Sequence, residues 1–192
     1  SQDGGSSEFV EDPMLMKTWR QTLYNDGIRV RIGRWNVCGN PIAILIDFTT
    51  LFASKDDVLK ELWEDYRVDS ISGQWDYVEP VLFGYLAGKV IESYVDAFCS
   101  TTEKAVAHFH EWMTASGGLY LRKYSPYVAT VFSTHATVAG RCIAGNGLSL
   151  YADLHKFNAD DLARRFNVTA KHSIEKAAAM YHDAFLTVSD IT

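Results

Sequence analysis

The sequence predicts an α/β fold with a mainly parallel sheet and helices on both of its faces. The first observation is a pair of short apolar runs, residues 106–112 (VAHFHEW) and 129–141 (ATVFSTHATVAGR), that each stop abruptly at polar side chains. Buried parallel strands that carry functional groups at their carboxyl ends show this pattern. The second observation is the helix-length segment between the two runs, which completes a β-α-β unit. Together they predict functional groups at one edge of the sheet.

The first third of the chain contains two predicted helices and two predicted strands. Residues 14–26 have the apolar spacing of a helix and end at Gly27, a common C-terminal cap. Residues 28–34 alternate apolar and polar side chains, as half-buried strands do. Residues 42–48 form a second strand that is apolar enough to be central in the sheet. Residues 55–66 place their apolar side chains on one helical face.

The rest of the chain continues the alternation of helices and strands. Pro80 suits the first turn of a long apolar helix, which we expect over residues 81–98. Residues 140–147 form a glycine-bearing loop by composition. The other predicted elements are, in chain order, strand 105–109, helix 111–122, strand 127–132, helix 158–166 with an Asn158 cap, helix 170–182 and strand 184–188. This alternation predicts a Rossmann-like, parallel-dominated lobe.

Composition excludes several classes of protein. The net charge is −6 and no stripe of lysine or arginine stands out, which argues against a nucleic-acid partner. The three cysteines are widely spaced, so we expect free thiols in a reducing, cytoplasmic compartment rather than a disulfide framework. No apolar run approaches the ~18 residues of a membrane-spanning helix. Residues 1–13 are predicted to be a linker or flexible segment, and residues 14–192 one domain.

The first strand end offers His108, His110 and Glu111. Two histidines two apart share one face of a strand, which is a metal-binding pattern. The alternative is that His108 packs in the core and His110 only marks the strand end. Glu111 would then accept a hydrogen bond or cap the following helix. The adjacent glutamate does not fit a familiar metal spacing, so no metal site is predicted.

The second strand end offers His135 and Arg141. An imidazole at this position would face the cleft and could donate a hydrogen bond to a sugar hydroxyl. A guanidinium reached through a glycine turn suits an anion such as a diphosphate. The alternative is a histidine bonded to the backbone and a surface arginine, and spacing alone does not exclude it. The other histidines, His155, His172 and His182, have no partner at useful spacing and are predicted to lie at the surface.

These motifs closely resemble the paired motifs of glycogen synthases of the animal and fungal type, glycosyltransferase family 3. The resemblance extends, in order, over residues 14–192. The further segments that carry it are residues 32–35 (IGRW), 45–47 (LID), 81–85 (VLFGY), 149–151 (SLY), 157–158 (FN), 175–179 (EKAAA) and 185–189 (FLTVS).

The resemblance implies part of the amino-terminal lobe of a GT-B enzyme, in which two Rossmann-like lobes face a cleft. Such enzymes transfer glucose from UDP-glucose to the non-reducing end of an α-1,4-glucan with retention of configuration and without a metal or other cofactor. By this resemblance His135 lies beside the donor glucose, Arg141 lies near the donor phosphates, and Glu111 lies near the glucose or the acceptor. His110 is a further candidate substrate contact.

The sequence also departs from the family pattern. The amino-terminal glycine-rich loop under the donor is missing, and so is the second lobe that grips the nucleotide. Residues 113–115 (MTA) replace the family's Leu-Ala-Gly, and the basic cluster after the crossover helix is reduced to Arg122 and Lys123. We therefore expect a fragment that is inactive alone, with substrate binding and any oligomer belonging to the full enzyme. The alternatives are a non-catalytic α/β module that binds glucan or a protein, and a metal enzyme using His110 and Glu111.

Overall fold

The computed structural model describes residues 8–100 and 102–188. The chain divides into two compact units, Ser1–Thr50 and Leu51–Thr192, and the boundary in the sequence falls within the 3-10 helix Phe48–Ser54. The strands are β1 (Phe9–Glu11), β2 (Arg29–Trp35), β3 (Ile42–Asp47), β4 (Val106–His110), β5 (Ala129–Thr134) and β6 (Ala184–Thr187). The helices are α1 (Lys17–Asn25), α2 (Lys55–Tyr66), α3 (Trp75–Phe98), α4 (Ala115–Tyr124), α5 (Val138–Gly145), α6 (Leu150–Asp153), α7 (Ala159–Arg165) and α8 (Thr169–Tyr181). Two further 3-10 helices are Trp112–Thr114 and Leu154–Lys156.

The first unit holds an antiparallel sheet in the order β1-β2-β3. Strands β2 and β3 pair from Arg29 opposite Asp47 to Arg34 opposite Ile42, because a short turn joins them as a hairpin. The prediction that residues 42–48 form a central strand is therefore wrong. Among the residues that the structure describes, β3 lies at the edge of its sheet, and none of its side chains is fully buried.

Strand β1 lies within the segment for which the sequence predicts a linker, residues 1–13. Residues 1–7 fall outside the described part of the chain. β1 approaches β2 so closely that a Cβ on Gly33 would stand 2.1 Å from the backbone oxygen of Val10. Glycine at this position therefore allows the pairing, and an ion pair between Arg31 and Glu11 joins the same two strands.

In the second unit, helix α3 begins earlier than predicted. Pro80 is its sixth residue rather than part of its first turn. The turn ahead of the proline carries Tyr77 and Val78, which are buried, and burial of these apolar side chains favours the extra turn. Because proline has no N–H, the helix gives up one backbone hydrogen bond here.

Helices α3 and α4 pack at unusually close range. A Cβ on Gly117 would lie 2.5 Å from the backbone oxygen of Gly84, and Ser116 Oγ donates to the Val81 carbonyl at 2.7 Å. Small residues at the contact let the two backbones approach each other. This pair forms much of the core, with Val81, Leu82, Leu119 and Leu121 fully or almost fully buried.

The second unit also holds the parallel sheet, in the order β4-β5-β6. The α/β class and a parallel sheet with helices are thus confirmed. Ala107, Phe109 and Phe132 point to the face that α4 covers, and they are buried. The alternate residues Val106 and His108 of β4 are exposed.

Three local predictions around this sheet were wrong. The crossover helix begins at Ala115 rather than at residue 111, after the 3-10 helix Trp112–Thr114. Residues 140–147 are mostly helix α5, because the Thr137 hydroxyl caps its start by accepting from the Gly140 amide at 3.0 Å. His182 is buried, since it packs against the rings of Phe109 and Phe132.

Other local predictions were confirmed. Helix α2 has the predicted bounds, and the Asn158 side chain caps α7 by accepting from the Asp161 amide at 3.0 Å. In the described part of the chain no helix combines the length and the apolar character needed to cross a bilayer.

Candidate functional site

The candidate site lies where β4 and β5 end. In the parallel register His110 stands opposite Ser133, and one residue further the Glu111 amide donates to the Ser133 carbonyl at 2.8 Å. Carboxyl ends of parallel strands meet at one edge of a sheet. The residues that follow both strands, Glu111 and His135, therefore emerge side by side.

Glu111 has a strained backbone. Its φ of 64° and ψ of 163° fall in a region that is almost reserved for glycine, at a cost of about 1–3 kcal/mol. Its side chain is only 15% exposed, and Oε1 accepts a hydrogen bond from the His135 backbone amide at 2.8 Å. The strained backbone therefore accompanies a carboxylate that holds the neighbouring strand end in place.

Arg141 lies in the first turns of α5. Its Nε donates to the Ala136 carbonyl at 3.1 Å, and its Nη2 stands 4.0 Å from Glu111 Oε1. The side chain is 63% exposed. The guanidinium is thus anchored at one nitrogen by the turn, and it presents most of its surface to solvent. The prediction of a glycine turn leading to Arg141 was wrong, because a helix carries this residue.

Three imidazoles form a row along this edge. The ring centroids of His108 and His110 are 4.1 Å apart, and those of His110 and His135 are 5.9 Å apart with nearly parallel planes. Partial burial, followed by the proximity of the other two histidines, lowers the pKa of His110. His108 Nε2 lies 2.7 Å from Ser133 Oγ, so this residue bonds at the surface of the sheet and is not packed in the core. A neutral His110 can both donate and accept hydrogen bonds.

Glu175 was not predicted as a site residue, although it contacts both ends of the turn that joins β5 to α5. It is 6% exposed, and its Oε2 accepts from the Val138 amide at 2.9 Å while Oε1 accepts from Thr134 Oγ1 at 3.4 Å. Burial raises the pKa of the Glu175 carboxyl to about 7, and Glu111 adds to that rise. The available signal was a glutamate beside Ile174 within the apolar stripe of a helix, where charged side chains are rare.

The structure brings together all four residues singled out in the sequence, namely His110, Glu111, His135 and Arg141. It shows no contact of His155 with them, and His172 instead pairs with Asp160 at 2.9 Å. Over residues 8–100 and 102–188, no group of three or more histidine, cysteine, aspartate or glutamate side chains has the arrangement of a metal site. The cluster offers imidazoles for hydroxyl groups and one exposed guanidinium for an anion.

Comparisons with known proteins converge on one family. The family model described as glycogen synthase matches residues 7–192. The chain is 34% identical to a glycogen [starch] synthase of Dictyostelium discoideum over 184 residues, which are 96% of this chain and 20% of that protein. It is 33% identical to the glycogen [starch] synthase of Neurospora crassa, over 92% of this chain and 25% of that protein. It is 32% identical to glycogen [starch] synthase isoform 2 of Saccharomyces cerevisiae, over 90% of this chain and 24% of that protein. The chain thus spans about a fifth to a quarter of the length of these relatives.

Proposed function

The chain belongs to the glycogen synthase family, and from this premise we propose that the complete protein extends glycogen by glucosyl transfer. The donor in this proposal is UDP-glucose and the acceptor is the non-reducing end of an α-1,4-glucan. The new bond keeps the anomeric configuration of the donor. The observation that carries the proposal is the meeting of His135, Glu111, Arg141 and His110 at the carboxyl edge of the parallel sheet.

Arg141 suits the diphosphate of the donor. When the glucosyl bond breaks, negative charge develops on the departing nucleotide diphosphate, and a guanidinium aimed at it stabilises the transition state. The fixed Nε bond to Ala136 orients the guanidinium before the donor arrives, which lowers the entropic cost of binding. Its loose 4.0 Å approach to Glu111 leaves the outer nitrogens available.

His135 and His110 suit the hydroxyl groups of the transferred glucose. Both side chains are exposed at the strand ends, and a neutral imidazole both donates and accepts. Glu111 holds His135 through the backbone amide, and a carboxylate has acceptor capacity left for a sugar hydroxyl. In this proposal catalysis consists mainly of positioning and charge stabilisation, with no metal.

This chain supplies one wall of the cleft in the proposal, and turnover needs the rest of the protein. The three cysteines are free, which agrees with the cytoplasmic location that we propose for the enzyme.

The experiment is UDP release by the complete protein incubated with UDP-glucose and glycogen, with the anomeric form of the new linkage read by NMR. We expect UDP release and an α-linkage with the complete protein, and no UDP release with residues 1–192 alone. Glycogen binding by the complete protein without UDP release would instead favour a non-catalytic glucan-binding module.

A further inference from the structure

We propose that Glu175 is a positioning residue that fixes the turn between β5 and α5, residues 134–138, and thereby sets where His135 and Arg141 stand. The expected effect of Glu175 on kcat/KM rests on the proposed function, whereas its expected effect on the structure of the turn does not. Glu175 lies 34 residues beyond Arg141 in the chain, on α8, so only the fold brings it under the turn.

The contacts of Glu175 lie at the two ends of the turn. Its Oε1 accepts from Thr134 Oγ1 at the end of β5, and its Oε2 accepts from the Val138 amide at the start of α5. On the other side Glu111 accepts from the His135 amide. Two carboxylates from different elements therefore hold one five-residue turn, and each uses a backbone N–H of that turn.

Burial of the Glu175 carboxylate lowers the stability of the folded state, so stability does not explain why a glutamate stands here. It sits beside Ile174, Ala177 and Ala178, which are almost fully buried, and no ion pair to it is found among the described residues. Taking a carboxylate out of water without a cation in contact is strongly unfavourable unless hydrogen bonds compensate. The Val138 N–H at the positive end of α5 offers such a bond. A neutral residue could fill the same space at lower cost, so we attribute the carboxylate to the control of the turn.

Two charged groups from other elements face Glu175. Glu111, at the end of β4, disfavours its charge, and Arg141, on α5, favours it. Burial outweighs both and raises the pKa of Glu175 to about 7. A hydrogen bond to a charged acceptor is about twice as strong as one to a neutral acceptor. The hydrogen bond from the Val138 amide to Glu175 therefore strengthens as pH rises through about 7.

The test compares Glu175→Ala and Glu175→Gln in the complete protein, with Glu92→Gln as matched control. Glu92 also accepts hydrogen bonds from two residues, Tyr120 and Ser125, but contacts no residue of the turn. Residue-resolved amide exchange is the first measurement. We expect the Val138 amide to exchange at least about tenfold faster in the alanine variant, while the Phe132 amide of β5 is unchanged.

The glutamine variant should retain partial protection of the Val138 amide and lose its dependence on pH around 7. In glucosyl transfer assays, the alanine variant should lower kcat/KM for UDP-glucose by about tenfold or more. For the wild type we expect kcat/KM to change with pH near 7, where Glu175 ionises. The glutamine variant should lack this pH dependence, and Glu92→Gln should keep it. If the alanine variant does not fold, the glutamine variant still supplies both readouts.

Unchanged exchange at Val138, equal acceleration at Phe132, or a pH dependence that persists in the glutamine variant would each overturn the proposal. Absence of any glucosyl transfer by the wild-type protein would refute the proposed function, and the exchange data would still decide the role of Glu175.

Discussion

Glu111 and His135 directly follow two different strands, and the Glu111 carboxylate accepts a hydrogen bond from the His135 backbone amide at 2.8 Å. The backbone of Glu111 is strained in this arrangement, because it takes up a conformation that suits glycine. Strain of this kind persists where the surrounding structure imposes it, and it is concentrated at functional sites. The bond links the two sequence motifs into one site.

Substitutions at Glu111 should separate backbone strain from the loss of its carboxylate. Glu111→Gly and Glu111→Ala both remove the bond to His135, but only glycine relieves the positive φ. We expect the glycine variant to be more stable than the alanine variant by about 1 kcal/mol in urea unfolding of the complete protein. Both should lose glucosyl transfer. Equal stability of the two variants would show that the backbone at residue 111 is not strained.

Arg141 should act on donor binding. Arg141→Ala removes the guanidinium proposed for the diphosphate, so KM for UDP-glucose should rise about tenfold or more. Arg141→Lys should recover only part of this, because a lysine cannot make the fork-like contact. Arg165→Ala, which removes an exposed arginine of α7, is the control and should leave KM unchanged. A KM in Arg141→Ala equal to that of the control would remove Arg141 from the donor site.

Gly118 should tolerate no side chain, because His182 lies against it. A Cβ at this position would stand 1.7 Å from His182 Nε2, and His182 is itself buried beside Phe109 and Phe132. We expect Gly118→Ala to destabilise the fold by roughly 2–3 kcal/mol in urea unfolding. Gly145→Ala, where no atom lies within 4 Å of the added Cβ, is the control and should be neutral or slightly stabilising. Equal unfolding midpoints for the two variants would contradict the packing described.

Glu175 and His182 should give the stability of the protein opposite pH dependences. The pKa of Glu175 is raised from about 4.5 to about 7, so the folded state binds more protons and stability falls as pH rises through this window. Burial lowers the pKa of His182 from about 6.5 to about 4, so its contribution is present above pH 6.5 and is lost as pH falls toward 4.

Two glutamine variants measure these contributions separately. Relative to the wild type, Glu175→Gln should gain stability as pH rises from 5 to 8. His182→Gln should gain relative stability as pH falls from 7 to 4. Urea unfolding at several pH values checks both slopes, and a reversed slope for either variant would refute the corresponding assignment.

The sequence predicted that Glu111 and His135 lie close together, because the signal for two neighbouring strand ends is local. The apolar runs before Glu111 and His135 define two buried strands, and parallel strands necessarily bring their carboxyl ends to one edge. Asn158 at the start of α7 was equally predictable, since a cap acts within one turn. The alternation in β2 correctly predicted a strand, but the apolar composition of β3 wrongly predicted a central strand, because central or edge position depends on which other strands pair with it.

The errors arose where tertiary contacts override local signals. Proline is common in the first turn of helices, so Pro80 predicted a helix start. Burial of Tyr77 and Val78 instead extends α3 before this residue. Glycines favoured a loop over residues 140–147, yet the Thr137 cap and the Glu175 contact at Val138 stabilise α5. Glu175 was missed for the same reason, since its partners are about 40 residues away in the chain.

The most direct test of the account is the rate of UDP release from UDP-glucose in the presence of glycogen, measured for the complete protein and for two histidine variants. His135→Ala removes the imidazole that we propose to lie beside the donor glucose, and His155→Ala removes an exposed histidine outside the cluster. We predict a fall in kcat of about 100-fold or more for His135→Ala with unchanged unfolding stability, and wild-type turnover for His155→Ala. Turnover of His135→Ala close to that of the wild type would contradict the assignment of this strand edge as the active site.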